Sequence, residues 1–262
     1  MTANARIVVY TAIVNNYDVL RNPSHVDDTL DYVCFTDQPR WLRLSTRTVW
    51  SIRPLPPAGL DCTRMNRMMK LQPHRFFPDH DYSIYVDGCI DIVGDVRALL
   101  EKYAHPRMLS FRHPLRDCIY EEGEVCIGMN KDDPASIRAQ LEHYRLQGHP
   151  EHFSMIEAGV LIRRHNDALI SRLMDEWWQE VLTRSRRDQL SFPYVARRNG
   201  FWPALMGQDH VRGASDYFAL RTNIGHRPHG LSLKEKMHIL NQVHFLWRLK
   251  RGAANMREDA NE

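Results

Sequence analysis

The chain has 262 residues, 43% hydrophobic and 26% charged, which is enough to bury a full core and short enough to form one domain. A formal charge of +3 is too small to drive nucleic-acid binding, so nucleic acid is not an expected partner, although local basic clusters can still hold a phosphorylated small molecule. Five cysteines (Cys34, Cys62, Cys89, Cys118 and Cys126) form no CxxC pair, which favours buried free thiols in a reducing compartment over a zinc site.

The first residues lack the charged start and long apolar run of a secretion signal, and no stretch is apolar for long enough to span a bilayer. The expectation is a cytoplasmic chain without a transmembrane segment, any membrane association being peripheral. Arg6 to Val14 reads as a buried first strand, and the polar turn Asn15 to Asp18 follows it. No GxGxxG or Walker sequence occurs, so a dinucleotide or P-loop reading has no support. A second strand, Asp31 to Thr36, ends on Asp37, and Arg47 to Ile52 reads as a third. Pro54 to Gly59 is a loop.

Asp61 to Phe77 has helical spacing, with Met65, Met68 and Met69 on one face and Arg64, Arg67 and Lys70 on the other. Such a basic face is commonly just solvated. Here it directly precedes the run Tyr82 to Val86, a buried strand that ends on Asp87 and Gly88, with Asp91 a little further on. A carboxylate at the C-terminal end of a strand in an open α/β sheet stands where ligands bind, and it can hold a divalent metal or a ribose hydroxyl. Capping of the next turn is the plainer role for it.

Asp95 to Tyr103 reads as a short helix and Arg107 to Phe111 as a strand. Arg112 to Glu122 is too rich in ionisable groups for core. Asp132-Asp133-Pro134 opens a helix that Gly148 closes, and Glu157 to Arg164 is a turn and strand. Asn166 is placed to cap a long helix whose apolar stripe, including Trp177 and Trp178, reads as packing. Another helix begins near Asp188, limited or kinked by Pro193. A loop at residues 225–230 carries His226 and His229, and residues 251–262 form a polar tail after a single domain spanning 1–250.

Strands alternate with helices, which predicts an α/β sandwich with a mostly parallel central sheet. Carboxylates at strand ends beside a basic helix suit a nucleotide diphosphate. Transfer of a sugar from such a donor uses these groups directly: positive charge stabilises the diphosphate leaving group, and a carboxylate takes the acceptor's proton.

The ordered set Tyr10-Thr11-Ala12, Asn16-Tyr17-Asp18, Cys34-Phe35-Thr36-Asp37, Arg64 to Lys70, Tyr85-Val86-Asp87-Gly88, His113 to Glu121, Glu157 to Arg163 and Arg187 to Phe192 resembles a glycosyltransferase-like family. That family is known from plant mucilage and pollen-turgor proteins and has bacterial members associated with surface polysaccharides. The resemblance implies a GT-A-type, Rossmann-like α/β/α fold and a nucleotide-diphospho-sugar transferase acting on a glycan or lipid-linked glycan acceptor. It places Thr11, Tyr17, Asp37, Arg64, Arg67, Lys70, Asp87 and Gly88 at the donor, His113, Arg116 and Gln189 at the acceptor, and Asp188 and Glu157 as catalytic carboxylates. The metal-binding Asp-x-Asp motif of the general GT-A pattern is reduced here to Asp87-Gly88-Cys89. A Mn2+ or Mg2+ ion would therefore need Asp91, His226 or His229 beside Asp87, or the diphosphate would be neutralised by Arg64 and Lys70 alone. The alternatives are a metal-assisted amide hydrolase drawing on His74, His80, His113 and Asp87, since a plant relative has been described as acting on ceramide, and a noncatalytic sugar-nucleotide or glycan-binding module.

Overall fold

The computed structural model describes residues 5–38, 48–207 and 215–221. Its strands are β1 (Ile7–Ile13), β2 (Asp31–Thr36), β3 (Ser51–Pro54), β4 (Tyr82–Val86), β5 (Ile90–Ile92), β6 (Met108–Arg112), β7 (Ile156–Arg163), β8 (Ala204–Leu205) and β9 (Phe218–Leu220). The helices are α1 (Cys62–Leu71), α2 (Pro73–Phe76), α3 (Val96–Lys102), α4 (Ile119–Gly128), α5 (Pro134–Leu146), α6 (Ala168–Thr183) and α7 (Asp188–Arg198).

Seven strands form one sheet in the order β3-β2-β1-β4-β7-β6-β8. All its neighbours are parallel except β7, which runs antiparallel to both β4 and β6. Every residue of β1 and β4 is buried, because both faces of the sheet are covered, and this produces their unbroken apolar runs. One face carries Met69 and Leu71 of α1, Tyr144 of α5, Leu173 and Trp177 of α6, and Phe192 of α7. The other carries Val96, Leu99 and Leu100 of α3, joined by Ile90, Ile92 and Phe218 of the two-stranded β5–β9 sheet. The result is a mixed α/β/α sandwich with a mostly parallel central sheet, as the alternation of elements requires.

Three boundaries differ from the sequence reading. The third strand runs over Ser51–Pro54, later than 47–52, because its pairing with Val33 to Thr36 starts at Ser51; as an edge strand it tolerates Pro54. The helix over 61–77 is two helices, since Pro73 cannot continue α1, and Asp61 caps the first by accepting from the amides of Thr63 and Arg64. Asp167, not Asn166, caps α6, and Asn166 instead donates to the carbonyls of Pro78 and His80 at 3.0 Å. Pro193 lies within α7 without ending it. The expected loop at 225–230, with its His226, and the tail at 251–262 lie outside the described residues.

Candidate active site

The C-terminal end of β4 is the centre of the site. Asp87 follows the last strand residue, its amide donates to the carbonyl of Gly159 at 2.9 Å, and its Oδ1 accepts from the hydroxyl of Tyr85 at 2.9 Å. Burial, reinforced by the charge of Asp87, holds the Tyr85 phenol well above the usual range, so it remains a donor. A side chain at Gly88 would meet Asp18: its Cβ would lie 2.6 Å from the Asp18 Cβ and 2.8 Å from Oδ2. Glycine is therefore required for the loop after β1 to bring a second carboxylate against the strand end. Asn15 and Asn16, both at positive φ, shape that loop.

Helix α1 supplies two cations. Lys70 and Arg67 lie beside Asp188, with Lys70 Nζ at 2.6 Å from Oδ2 and Arg67 Nε at 3.2 Å from Oδ1. Lys70 also lies over the Tyr85 ring, 5.2 Å from its centroid. Both cations feel Asp87 as well as Asp188. Burial alone would raise the Asp188 carboxyl, but Arg67, Lys70 and Arg187 together hold it far below the usual carboxylate range. For Lys70, desolvation outweighs both carboxylates and lowers the ammonium.

Beyond Asp188 the charges continue to alternate. Arg187 is balanced by Cys126, Asp188 and Glu122, and Glu122 Oε2 accepts from Arg116 Nε at 2.5 Å, with His113 Nε2 at 3.8 Å. The half-exposed phenol of Tyr17 is raised by burial and by Asp18, while Arg187 and Arg67 act to lower it. Glu157 of β7 is 7% exposed and lies opposite Phe111, where the register with β6 shifts. Gln189 is clipped to the same strand through its donation to the carbonyl of Ile156 at 3.2 Å. An open groove of about 460 Å³ adjoins the β2 end, lined by Val14, Thr36, Asp37, Leu55, Gly59 and Met65.

The fold thus gathers Asp87, Gly88, Arg67, Lys70 and Asp188, with Tyr17 next to Asp18 in the β1 loop, and puts Glu157 with Gln189 and His113 with Arg116 on flanking elements. Three assigned residues, Arg64, Thr11 and Asp91, fall elsewhere. Arg64 is taken by the end of α6: its Nε donates to Val181 O at 3.0 Å and its Nη2 to Arg184 O at 2.6 Å, because unpaired C-terminal carbonyls attract a cation. Thr11 is 2% exposed in mid-strand, on the face it shares with Val9 and Ile13. Asp91 accepts from the amide and hydroxyl of Ser24 and from Arg221, so both its oxygens are occupied in fixing β5. Asp37 accepts the Asn15 amide, which ties β2 to the β1 loop at the edge of the groove. The histidines of a hydrolytic centre do not converge either: His74 pairs with Asp175, His80 with Asp31 and His113 with Glu122.

Sequence reasoning missed Asp18, Glu122 and Arg187. Glycine at 88 was the signal for the first, since it marks a close approach. For the other two no local signal exists, because their partners lie on other elements.

Two carboxylates also stand at this strand end. Asp87 directly precedes Gly88 and the Asp18 side chain lies against it, and carboxylate oxygens are hard donors of the kind that suit Mg2+ or Mn2+.

The model of the "TOD1/MUCI70, glycosyltransferase-like domain" family matches residues 48–211. The "Probable hexosyltransferase MUCI70" of Arabidopsis thaliana is 26% identical over 215 residues, 72% of this chain and 37% of that protein, so the chain spans little more than a third of this relative. Among solved structures, the apo form of mouse xyloside xylosyltransferase 1 aligns with a TM-score of 0.44 at 11% identity, over 77% of this chain and 84% of its own. The apo structure of the bifunctional glycosyltransferase WbbM aligns with a TM-score of 0.43 at 12% identity, over 79% of this chain and 39% of its own. With the family model matching well over half of its length, the chain belongs to the TOD1/MUCI70 glycosyltransferase-like domain family.

Proposed function

We propose that this protein transfers a sugar from a nucleoside-diphosphate donor to a hydroxyl of a glycan or lipid-linked glycan, the bacterial members' link to surface polysaccharides suggesting that setting. The observation that carries the reading is the pair of cations, Arg67 and Lys70, placed between the carboxylate at the end of β4 and Asp188. The donor's base and ribose lie along the groove beside Asp37, with the diphosphate directed toward Lys70, Arg67 and Arg187. As the bond from the anomeric carbon to the diphosphate breaks, its electron pair leaves with the diphosphate, and these fixed cations stabilise the charge without reorganising. A divalent ion held by Asp18 and Asp87 would supply further neutralisation there.

The two candidate carboxylates take different roles. Asp188 is held ionised by three cations, so it is a poor proton acceptor; it orients Lys70 and Arg67 and offers negative charge to the cationic sugar. Glu157, on β7 beside the strand carbonyl that holds Gln189, accepts the proton of the incoming hydroxyl as the new bond to the anomeric carbon forms.

A thermal-shift panel of nucleoside diphosphates and their sugars, with and without Mn2+ or Mg2+, tests the reading, because a ligand of the native state raises the melting temperature. Stabilisation by one nucleoside diphosphate, together with slow hydrolysis of its sugar conjugate, is the expected result. Absence of any shift, with no donor turnover, would overturn it.

A further inference from the structure

Away from the cleft, the start of α4 meets the loop that leads into β7. Cys118, Glu121 and His152 place a thiol, a carboxylate and an imidazole with their ligand atoms all within 4.8 Å of one another, the one such group among the described residues. Cys118 is the cap residue of α4 and Glu121 lies one turn on, so both project from the same side of the helix start. His152 Nδ1 is 2.7 Å from Asp117 Oδ1, and its Nε2 lies 3.9 Å from Glu121 Oε1. A carboxylate only accepts, so Nδ1 donates to Asp117, and Nε2 is the ring nitrogen turned toward Glu121.

That arrangement is a carboxylate–histidine pair aimed at a centre, the orienting contact usual outside metal-bound imidazoles. The backbone holds both segments before anything binds, as the amide of Ser154 donates to Asp117 O at 2.8 Å and the amide of His113 to Met155 O at 2.9 Å. A surface ion pair of His152 with Asp117 and core packing of Cys118 account for each residue singly, but not for the convergence of the three ligand atoms. We propose that Cys118, Glu121 and His152 form a site for Zn2+ or a similar borderline-soft divalent ion, with Asp117 orienting His152 and water completing a tetrahedron. The donor set of sulfur, nitrogen and oxygen selects zinc over Mg2+ or Ca2+. Tetrahedral zinc needs ligand atoms within about 3–4 Å of one another, given bonds of about 2.0–2.3 Å. The half-exposed His152 side chain supplies that closure by a small rotation. Bound there, the ion fixes the loop before β7 to α4, between the segment carrying His113 and Arg116 and the strand carrying Glu157.

Cobalt(II) titration of the metal-free full chain tests this without reference to transferase activity. The expected result is one saturable ion, displaced by Zn2+, with tetrahedral visible bands and a thiolate-to-cobalt charge-transfer band in the near ultraviolet. Cys118→Ser removes the charge-transfer band, whereas Cys62→Ser, at an exposed thiol, keeps it. Asp117→Asn weakens affinity by roughly tenfold or more. His152→Ala, at an exposed side chain, weakens it further and keeps the test decisive if the buried Cys118→Ser fails to fold. No saturable binding, or a charge-transfer band that persists in Cys118→Ser, or affinity unchanged in His152→Ala, would overturn the site.

Discussion

Lys70 Nζ lies 2.6 Å from Asp188 Oδ2, and both side chains are 2% exposed. A buried charge pair is costly to break from one side only, because the remaining charge has no water to fall back on. Asp188→Asn leaves Lys70, Arg67 and Arg187 facing one another and is expected to cost roughly 3–5 kcal/mol of folding stability. Lys70→Met costs less, since Arg67 and Arg187 still neutralise Asp188. The double variant recovers part of the loss and none of the transferase activity. Urea denaturation of the four proteins measures the coupling; additive single effects would show that the pair does not interact.

Arg64 and Arg67 are one helical turn apart and are expected to behave differently. Arg64→Ala removes donors to the carbonyls of Val181 and Arg184 at the end of α6, at a cost of about 1–3 kcal/mol, and leaves donor affinity unchanged within about twofold. Arg67→Ala weakens nucleoside-diphosphate binding by at least tenfold, consistent with loss of one charge-assisted contact to phosphate. Isothermal titration with the nucleotide found in the thermal-shift panel separates the two. Weaker binding by Arg64→Ala would return that residue to the phosphate site.

These two arginines show what the sequence can and cannot reveal. Helical spacing grouped Arg64, Arg67 and Lys70 correctly on α1, because that pattern is local. What each meets depends on α6 and α7, which arrive more than 100 residues later in the chain, as the separations of 117 and 120 residues between Arg64 and its acceptors show. The buried strands β1, β2 and β4 were legible as apolar runs, and Asp87 and Gly88 as a strand end. The antiparallel course of β7 left no local mark, and neither did the capture of Asp91 by Ser24 and Arg221. Glu122 and Arg187 look like ordinary surface charges until the fold places them against each other.

Stability should fall in mild acid because of two buried histidines. Burial pushes His149 down to about 4, with Arg197 adding to the effect, and burial likewise pushes His165 down to about 4. His165 Nε2 donates to the carbonyl of Phe77 at 2.8 Å, and His149 packs beside Phe153 and Tyr194. Between pH 4 and about 6.5 the unfolded chain binds protons that these side chains refuse in the native state, so stability rises with pH there. It is complete above about pH 6.5 and is lost as pH falls toward 4, by at most on the order of 3 kcal/mol per histidine. His149→Phe is expected to flatten the dependence of the melting temperature on pH between 4.5 and 6.5 by roughly half. An unaltered slope would remove His149 from the account.

Gly88→Ala probes the second carboxylate at the strand end. The added Cβ would fall 2.6 Å from the Cβ of Asp18 and 2.9 Å from its Cγ, closer than real contacts allow, so the β1 loop must move. No strand hydrogen bond or core side chain is removed, and the loop is exposed, so the expected loss of folding stability is about 1 kcal/mol. Donor binding should suffer more, because Asp18 and Tyr17 leave the cleft together. If Asp18 and Asp87 hold a divalent ion, the stabilisation by nucleoside diphosphate plus Mn2+ shrinks to the metal-free value in Gly88→Ala and in Asp18→Asn alike. If the cations alone neutralise the diphosphate, Asp18→Asn keeps full nucleotide affinity with or without the metal. Titrating both variants against nucleotide at fixed Mn2+ distinguishes a carboxylate pair around Gly88 from a site that relies on Arg67, Lys70 and Arg187.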